Sequence, residues 1–322
     1  SEPETFGELH FGGAELGDAR RTKRLVRVAN AIMRHPGGTL PEKMGGPAEL
    51  EAMYHLMNCE EVTHESVLAP HIALTRKKIA EHDGFVLAIH DTTELDFTTR
   101  ESLSDRGQIG NGSHQGWLCH NTLIVDPVHR EAMGLANQIL HCRPVESKKE
   151  TTAEKRSRLD RESRLWLQGV QSLPSDQKIV DVCDRGADTF EFLEHEVRSG
   201  RTFVVRSSYD RGTYCSDEKN ATKTMLHPVA RSLPSLGEWT MKVEASKTKK
   251  TVRKTVNGKR ISETVVVDRK AREAVVHVSA SPVIVAAPRR HRGHHGNKPL
   301  PMWVVRVWEP NPPAGAEALE WI

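Results

Sequence analysis

The stretch IVDVCDRGAD, residues 179–188, decides how this chain is read. An apolar run climbs to Asp184, and Arg185, Gly186 and a second acid, Asp188, then break it. Earlier, FVLAIHDTTELDF (85–97) does nearly the same and meets Asp91. A carboxylate at the edge of an apolar strand is costly unless it is paired, hydrogen-bonded or bound to a cation. Two such strand ends predict a shared purpose.

Working outward, Phe85–His90 reads as a short central strand covered on both faces. Residues 98–116 form a polar, Gly-rich excursion. Strands at about 117–126 and 132–141 are joined by Pro127-Val128-His129-Arg130, a joint so short that it demands antiparallel pairing. Residues 150–170 predict one long helix, in which Trp166 and Leu167 face the core. A strand at 178–183, a helix at about 188–198 closed by Gly200, and a strand at 202–206 follow. A three-strand meander continued by crossovers predicts a mixed α/β sheet with helices on its faces. If the first strand lies beside the fourth, Asp91 and Asp184 meet at the carboxyl ends of neighbouring strands.

Before this sheet, residues 1–82 read as a small helical domain. Asp18 is a candidate N-cap, Leu25, Val28, Ala29, Ile32 and Met33 recur at helical spacing, and Pro36-Gly37-Gly38 stops the run. Two further helices are expected at 47–58 and 64–81. After residue 206, alternating strands and the hairpin signal Asn257-Gly258 predict a β-rich segment over 207–322. The sequence ends on EALEWI, read as the end of another strand.

The net charge of +3 conceals a strong asymmetry. Residues 17–34 hold six Lys/Arg against one Asp, and residues 242–298 hold fifteen against four acids. Such segregation is the electrostatic footprint of a polyanion partner, double-stranded DNA first. Arg20, Arg21, Lys23, Arg24 and Arg27 crowd the first half of their helix, where cations oppose the helix dipole. They read as phosphate contacts, as do Lys250, Arg253, Lys254, Arg289, Arg290 and Arg292 in the β-rich segment and Arg185 beside Asp184.

No apolar run approaches the roughly 20 residues that span a bilayer, so no membrane role is expected. The first residues lack the basic head and apolar core of a secretory leader; without an initiator Met, they read as processed or trimmed. Five scattered cysteines without a CxxC pair predict reduced thiols in a cytoplasmic protein.

Two carboxylates held together repel unless a cation neutralises them. Mg²⁺ takes hard oxygen ligands at ~2.0–2.1 Å, and two such ions ~3.5–4 Å apart suit phosphoryl transfer. The plainer alternative is that Asp91 and Asp184 simply make Asx turns, or that Asp184 pairs with Arg185. Asp96 and Asp181 are further candidates, and Asp188 is expected to cap the helix that follows it. His90 and His120 adjoin the pair and read as packing histidines. The three histidines at 291, 294 and 295 suggest zinc, but neighbouring arginines and the lack of a nearby Cys or acid disfavour it.

Taken in order, LGDARRTKRLVRVA (16–29), IHDTTELDF (89–97), GWLCHNTL (116–123), ESRLW (162–166), VCDRGAD (182–188), FVVRS (203–207) and EALEW (317–321) resemble the DDE insertion-sequence transposases, most closely the IS-four family. The resemblance implies an N-terminal helical DNA-binding domain, a ribonuclease-H-like catalytic core over 83–206 and a β-rich insertion within that core. It implies Mg²⁺-dependent cleavage at transposon ends (with Mn²⁺ able to substitute), a hairpin step and strand transfer, by a homodimer when complete, in the bacterial cytoplasm and nucleoid. Asp91 and Asp184 would be the first two acids of the catalytic triad and metal ligands. Arg206 would contact DNA, and Trp321 would stack on a flipped base; the bottom-up reading of Trp321 is a core aromatic. The family's third acid lies in a Tyr-Arg-Glu-Lys helix that this sequence does not reach, and Glu309, Glu317 and Glu320 do not match it. The expectation is therefore DNA binding with poor or no cleavage. The alternatives are a naturally short, non-catalytic DNA-binding protein or transposition inhibitor, and a stand-alone nuclease using Glu317 or Glu320.

Overall fold

The computed structural model describes residues 5–110, 112–144, 150–175, 178–214, 222–256, 259–288 and 294–322. The chain divides into two compact units: Ser1–Ala187 with Arg198–Val205, and Asp188–Val197 with Arg206–Ile322.

In the first unit, α1 (Phe6–Phe11) begins at a capping box of Thr5 and Glu8. This helix was not expected from periodicity, because six residues are too few to show one. α2 (Ala19–Arg34) starts at Asp18, whose carboxylate accepts from Arg20 N at 2.8 Å. It buries Leu25, Val28 and Ala29, the spacing that predicted it. α3 (Leu40–Lys43) and α4 (Pro47–Met57) follow, and α5 (His64–Glu81) starts at the cap Thr63. α2 and its neighbours close small cores, one of Ala14, Leu16, Leu25 and Leu56 and another of Val28, Met44 and Met53.

The sheet of this unit comprises β1 (Val86–Asp96), β2 (Gly107–Gln108), β3 (Gln115–Asp126), β4 (Glu131–His141), β5 (Ile179–Cys183) and β6 (Thr202–Val205). β3 is antiparallel to β1 and β4, whereas β1, β5 and β6 run parallel. The order β4-β3-β1-β5-β6 places the first long strand beside β5, the fourth of the strands expected. Val86 and Ala88 of β1, Ile124, Ala136 and Ile179 are fully or almost fully buried with Ile79 of α5 and Leu173. Each buried Val, Ile or Leu among them contributes about 1.5–3 kcal/mol relative to exposure.

Two expectations are corrected here. β1 does not stop near His90, because β3 continues to pair with it from Asp91↔Asn121 to Asp96↔Gly116. The helix expected over 150–170 is broken into α6 (Thr152–Ser157), a 3₁₀ turn (Glu162–Arg164) and α7 (Leu165–Gln171). Arg158 turns extended at ψ 136° while its guanidinium engages Asp160 and Glu150, so local ion pairing replaces the next helical turn. Trp166 and Leu167 are buried, as expected.

The second unit begins with Asp188 and most of α8 (Phe190–Ser199). It continues with β7 (Gly212–Tyr214), β8 (Thr224–Met225), α9 (Leu226–Ser232), β9 (Gly237–Val243), β10 (Ser246–Val256), β11 (Lys259–Arg269), β12 (Arg272–Val285), β13 (Leu300–Trp308) and β14 (Glu320–Trp321). One sheet runs β14-β13-β12-β7-β8, with β9 also pairing β12. β10 and β11 form a separate hairpin in which Val256 faces Lys259. Its tip, Asn257-Gly258, lies outside the described residues. Val243, Ala274, Val276 and Leu319 form a core with Met241, Val307 and Trp321 against it.

Candidate active site and nucleic-acid interface

The parallel register of β1 and β5 runs Ala88↔Asp181, Ile89↔Val182, His90↔Cys183. Asp91 and Asp184 come next on each chain, so they stand level on adjacent strands. Alternation puts them on the face opposite the buried Ala88, His90, Asp181 and Cys183. Both are exposed. Asp184 does end its strand; Asp91 does not, and is the point where pairing to β5 stops while pairing to β3 goes on.

Each aspartate uses one oxygen locally. Asp91 Oδ1 accepts from Thr92 N at 2.9 Å, and Asp184 Oδ1 accepts from Gly186 N at 2.9 Å. The turn chemistry weighed as the plainer alternative is therefore present at both. It occupies only half of each carboxylate: neither Oδ2 has a protein partner among the described residues, and no ion pair joins Asp184 to Arg185. Two outward-facing hard oxygens on adjacent strands suit a divalent cation as part of its shell, with water completing it. Among the described residues no group of three or more His, Cys, Asp or Glu is placed to hold a metal ion.

Beneath the pair lies a buried polar layer. His90 Nε2 meets Asp181 Oδ1 at 2.9 Å, and Asp181 Oδ2 accepts from Arg201 Nε at 2.8 Å. Thr122 Oγ1 lies 3.1 Å from His90 Nδ1, and Thr92 Oγ1 lies 2.8 Å from His120 Nδ1. Burial, with His90 close by, pushes His120 down to about 3, so it is neutral. Asp181 is thus taken by structure, not available as a ligand, and the two histidines are packing residues as read. Trp166 closes the layer from α7: a Cβ at Gly186 would stand 2.2 Å from its ring. Only glycine lets the turn that holds Asp184 lie so close to it.

The other candidates have structural partners of their own. Asp96 accepts from Thr98 and His114. Asp188 is not a helix cap. Thr189 fills that role, its Oγ1 accepting from Phe192 N, while Asp188 is buried and takes Ser208 N, Tyr209 N and the Arg211 guanidinium. Glu309 pairs with Arg272, and Glu320 with Arg231 and Arg306. Trp321 is half-buried, with its residue paired to Val307 and its side chain against the core of the second unit. Arg206 is exposed immediately after β6.

The basic face of α2 resolves into two sets. Arg21 pairs with Glu61 at 3.0 Å and Arg24 with Glu49 at 3.1 Å. Arg20 folds back on Asp18 at 2.8 Å yet stays largely exposed. Lys23 and Arg27 are exposed without an acidic partner among the described residues. With Arg20 they fall on one stripe, which Arg34 extends at a further seven residues; Arg34 was passed over by sequence reading, although the i, i+7 spacing marks it. Lys250, Arg253 and Lys254 lie on β10, and their side chains are outside the described residues. So are Arg289, Arg290, His291 and Arg292 altogether.

Residues 3–62 match the transposase DNA-binding family. The matched segment contains α1 to α4 and therefore the whole basic stripe of α2. This supports a transposase that binds DNA, and with it a DNA-processing enzyme in general. No helix among the described residues is long and apolar enough to cross a membrane. Cys59, Cys119, Cys142 and Cys183 form no disulfide with one another, and Cys215 lies outside the described residues.

Proposed function

We propose that the chain is a DDE transposase of the IS-four type, with its first two catalytic acids at Asp91 and Asp184 on a ribonuclease-H-like sheet. The observation that carries this reading is their register: two exposed carboxylates, level on adjacent parallel strands, each with one oxygen tied to a backbone N–H. The transposase DNA-binding match on the same chain supports it.

Asp91 and Asp184 would hold Mg²⁺ or Mn²⁺ through their outward oxygens. Bound there, the ions would supply charge neutralisation for in-line attack on a DNA phosphate. The protein's own part is positioning. Strand pairing fixes the two Cα atoms, and the Thr92 and Gly186 N–H groups orient the carboxylates. Lys23, Arg27 and Arg34 on α2 would neutralise phosphates of the transposon end. Strand transfer by a dimer in the bacterial cytoplasm belongs to the same reading.

A second reading is a DNA-binding protein that does not cleave, acting at transposon ends. It is favoured by the absence, among the described residues, of a third acid beside the pair. One experiment separates the two: the chain is incubated with labelled end-sequence duplex and Mg²⁺ or Mn²⁺. Cleavage lost in both Asp91→Asn and Asp184→Asn supports the enzyme; tight duplex binding without cleavage by the wild type supports the binding protein.

A further inference from the structure

The acid pair belongs to a longer row. Asn121 on β3 stands directly opposite Asp91, and Gln138 on β4 directly opposite Asn121. Antiparallel partners share a face of the sheet, with opposite Cβ atoms about 4.5–5.5 Å apart. Gln138, Asn121, Asp91 and Asp184 therefore cross four adjacent strands on one face. His64, the first residue of α5, anchors the far end of the row, its Nε2 2.9 Å from Gln138 Oε1.

The hydrogen bonds along this row run in one direction. The Cys119 carbonyl can only accept, so the Asn121 atom 3.2 Å from it is the amide nitrogen. Asn121 Oδ1 then accepts from Gln138 Nε2 at 2.7 Å, and weakly from Cys119 Sγ at 3.7 Å. With its nitrogen committed to Asn121, Gln138 turns its oxygen to His64, which donates from Nε2. The Asn121 amide is thus held in one orientation with its oxygen fully used. Its nitrogen carries a second hydrogen, which nothing accepts among the described residues. Asn121 is half-buried, so this N–H is open to the face that carries the acids.

We infer that Asn121 positions DNA at the acid pair by donating this N–H to a backbone phosphate oxygen. The inference rests on the reading of Asp91 and Asp184 as the site of DNA cleavage. The locked orientation selects the ligand. A cation needs a lone pair, and Gln138 and Cys119 already occupy the Asn121 oxygen, so this amide is not a further metal ligand. An N–H calls for an acceptor, and the acceptor that a DNA strand brings to a pair of metal-holding acids is phosphate oxygen, a common partner of Asn side chains. Neutrality matters as well. A lysine or arginine opposite Asp91 would pair with its outward oxygen and compete with the metal ion; an amide donates without that competition.

The test compares the full chain with Asn121→Ala, Asn121→Ser and Asn121→Asp. Affinity for a labelled DNA duplex is read by fluorescence anisotropy, in EDTA and at saturating Mn²⁺. Calorimetry reads Mn²⁺ binding to each chain alone, and melting temperature reads folding. In the wild type Mn²⁺ should raise duplex affinity, because the ion joins the acids to a phosphate. Asn121→Ala should lose roughly tenfold of that gain. Its Mn²⁺ affinity, its duplex affinity in EDTA and its salt slope should match the wild type, since a neutral donor releases no counterion. Asn121→Ser keeps a donor and should retain part of the gain. Asn121→Asp still accepts from Gln138 but has no N–H, and should lose at least as much as alanine. A Mn²⁺-dependent gain in Asn121→Ala equal to the wild type overturns the inference, as does a wild type that binds Mn²⁺ and duplex with no gain at all. An equal loss in EDTA, or weakened Mn²⁺ binding by Asn121→Ala, would make Asn121 a structural residue and equally overturn it. Wild-type chain that binds no Mn²⁺, or no duplex, defeats the underlying reading instead.

Discussion

Asp91 and Asp184 stand level on adjacent parallel strands, each one residue beyond the last pair, His90↔Cys183. Their positions are fixed by backbone pairing, but their carboxylates are exposed and half-used. Asp91→Asn and Asp184→Asn should therefore abolish binding of Mn²⁺ seen by calorimetry while shifting unfolding free energy by only about 0.5 kcal/mol, as for ordinary surface changes. A large loss of stability in both would reassign the pair to folding.

Asp181 behaves oppositely. It is fully buried and faces His90 and Arg201, the latter's side chain only 4 % exposed. Asp181→Ala strands a buried guanidinium and should cost about 3–5 kcal/mol in urea unfolding. A cost below 1 kcal/mol would show that the network is not organised as described.

His120 sets a pH dependence. Its folded pKa is depressed to about 3 by burial, with His90 adding to it. The unfolded chain therefore binds a proton that the folded chain refuses once pH falls below about 6.5. Stability from this residue is complete above that value and is lost as pH drops toward 3, at up to about 1.4 kcal/mol per pH unit. His120→Asn should flatten this part of the stability profile; an unchanged slope between pH 6 and 4 would mean that His120 is protonated in the fold.

On α2, the unpaired and paired cations should separate in a salt titration. Lys23→Ala with Arg27→Ala should weaken duplex binding and reduce the log–log salt slope by about 1.8, two phosphate contacts' worth. Arg24→Ala, which removes the exposed pair with Glu49, should cost about 0–1 kcal/mol of stability. Equal salt slopes for wild type and the double variant would move the DNA interface elsewhere.

Gly186→Ala couples packing to the candidate site. The added methyl meets the Trp166 ring in the turn whose N–H holds Asp184. Overpacking of this kind costs about 1–3 kcal/mol, and Mn²⁺ affinity should fall with it. Trp166→Leu in the same chain should recover part of both.

Local pattern was enough for much of the fold. The helices at 47–57 and 64–81, the β3–β4 pair and the β10–β11 hairpin follow from caps, periodicity and turn residues, all of which act over a few neighbours. The short joint forces β3 and β4 to pair antiparallel, but a crossover can set β5 at either edge of the meander; its place beside β1, which brings Asp91 and Asp184 together, does not follow from local pattern.

Tertiary structure alone decided what each carboxylate does. Asp181 and Asp184 belong to one short segment and look alike in sequence, but strand alternation turns one to His90 and Arg201 and the other to solvent. Asp188 was read as a cap because it precedes a helix; the Arg211 guanidinium and two backbone N–H groups, brought in from twenty or more residues away, claim it instead. The same holds for α2, where Glu49 and Glu61 select which arginines are structural. The amino-acid order determines the elements and their sequence along the chain, since those are local energies. Which charges are paired and which faces stay open depends on residues distant in the chain, and only the folded backbone brings those into reach.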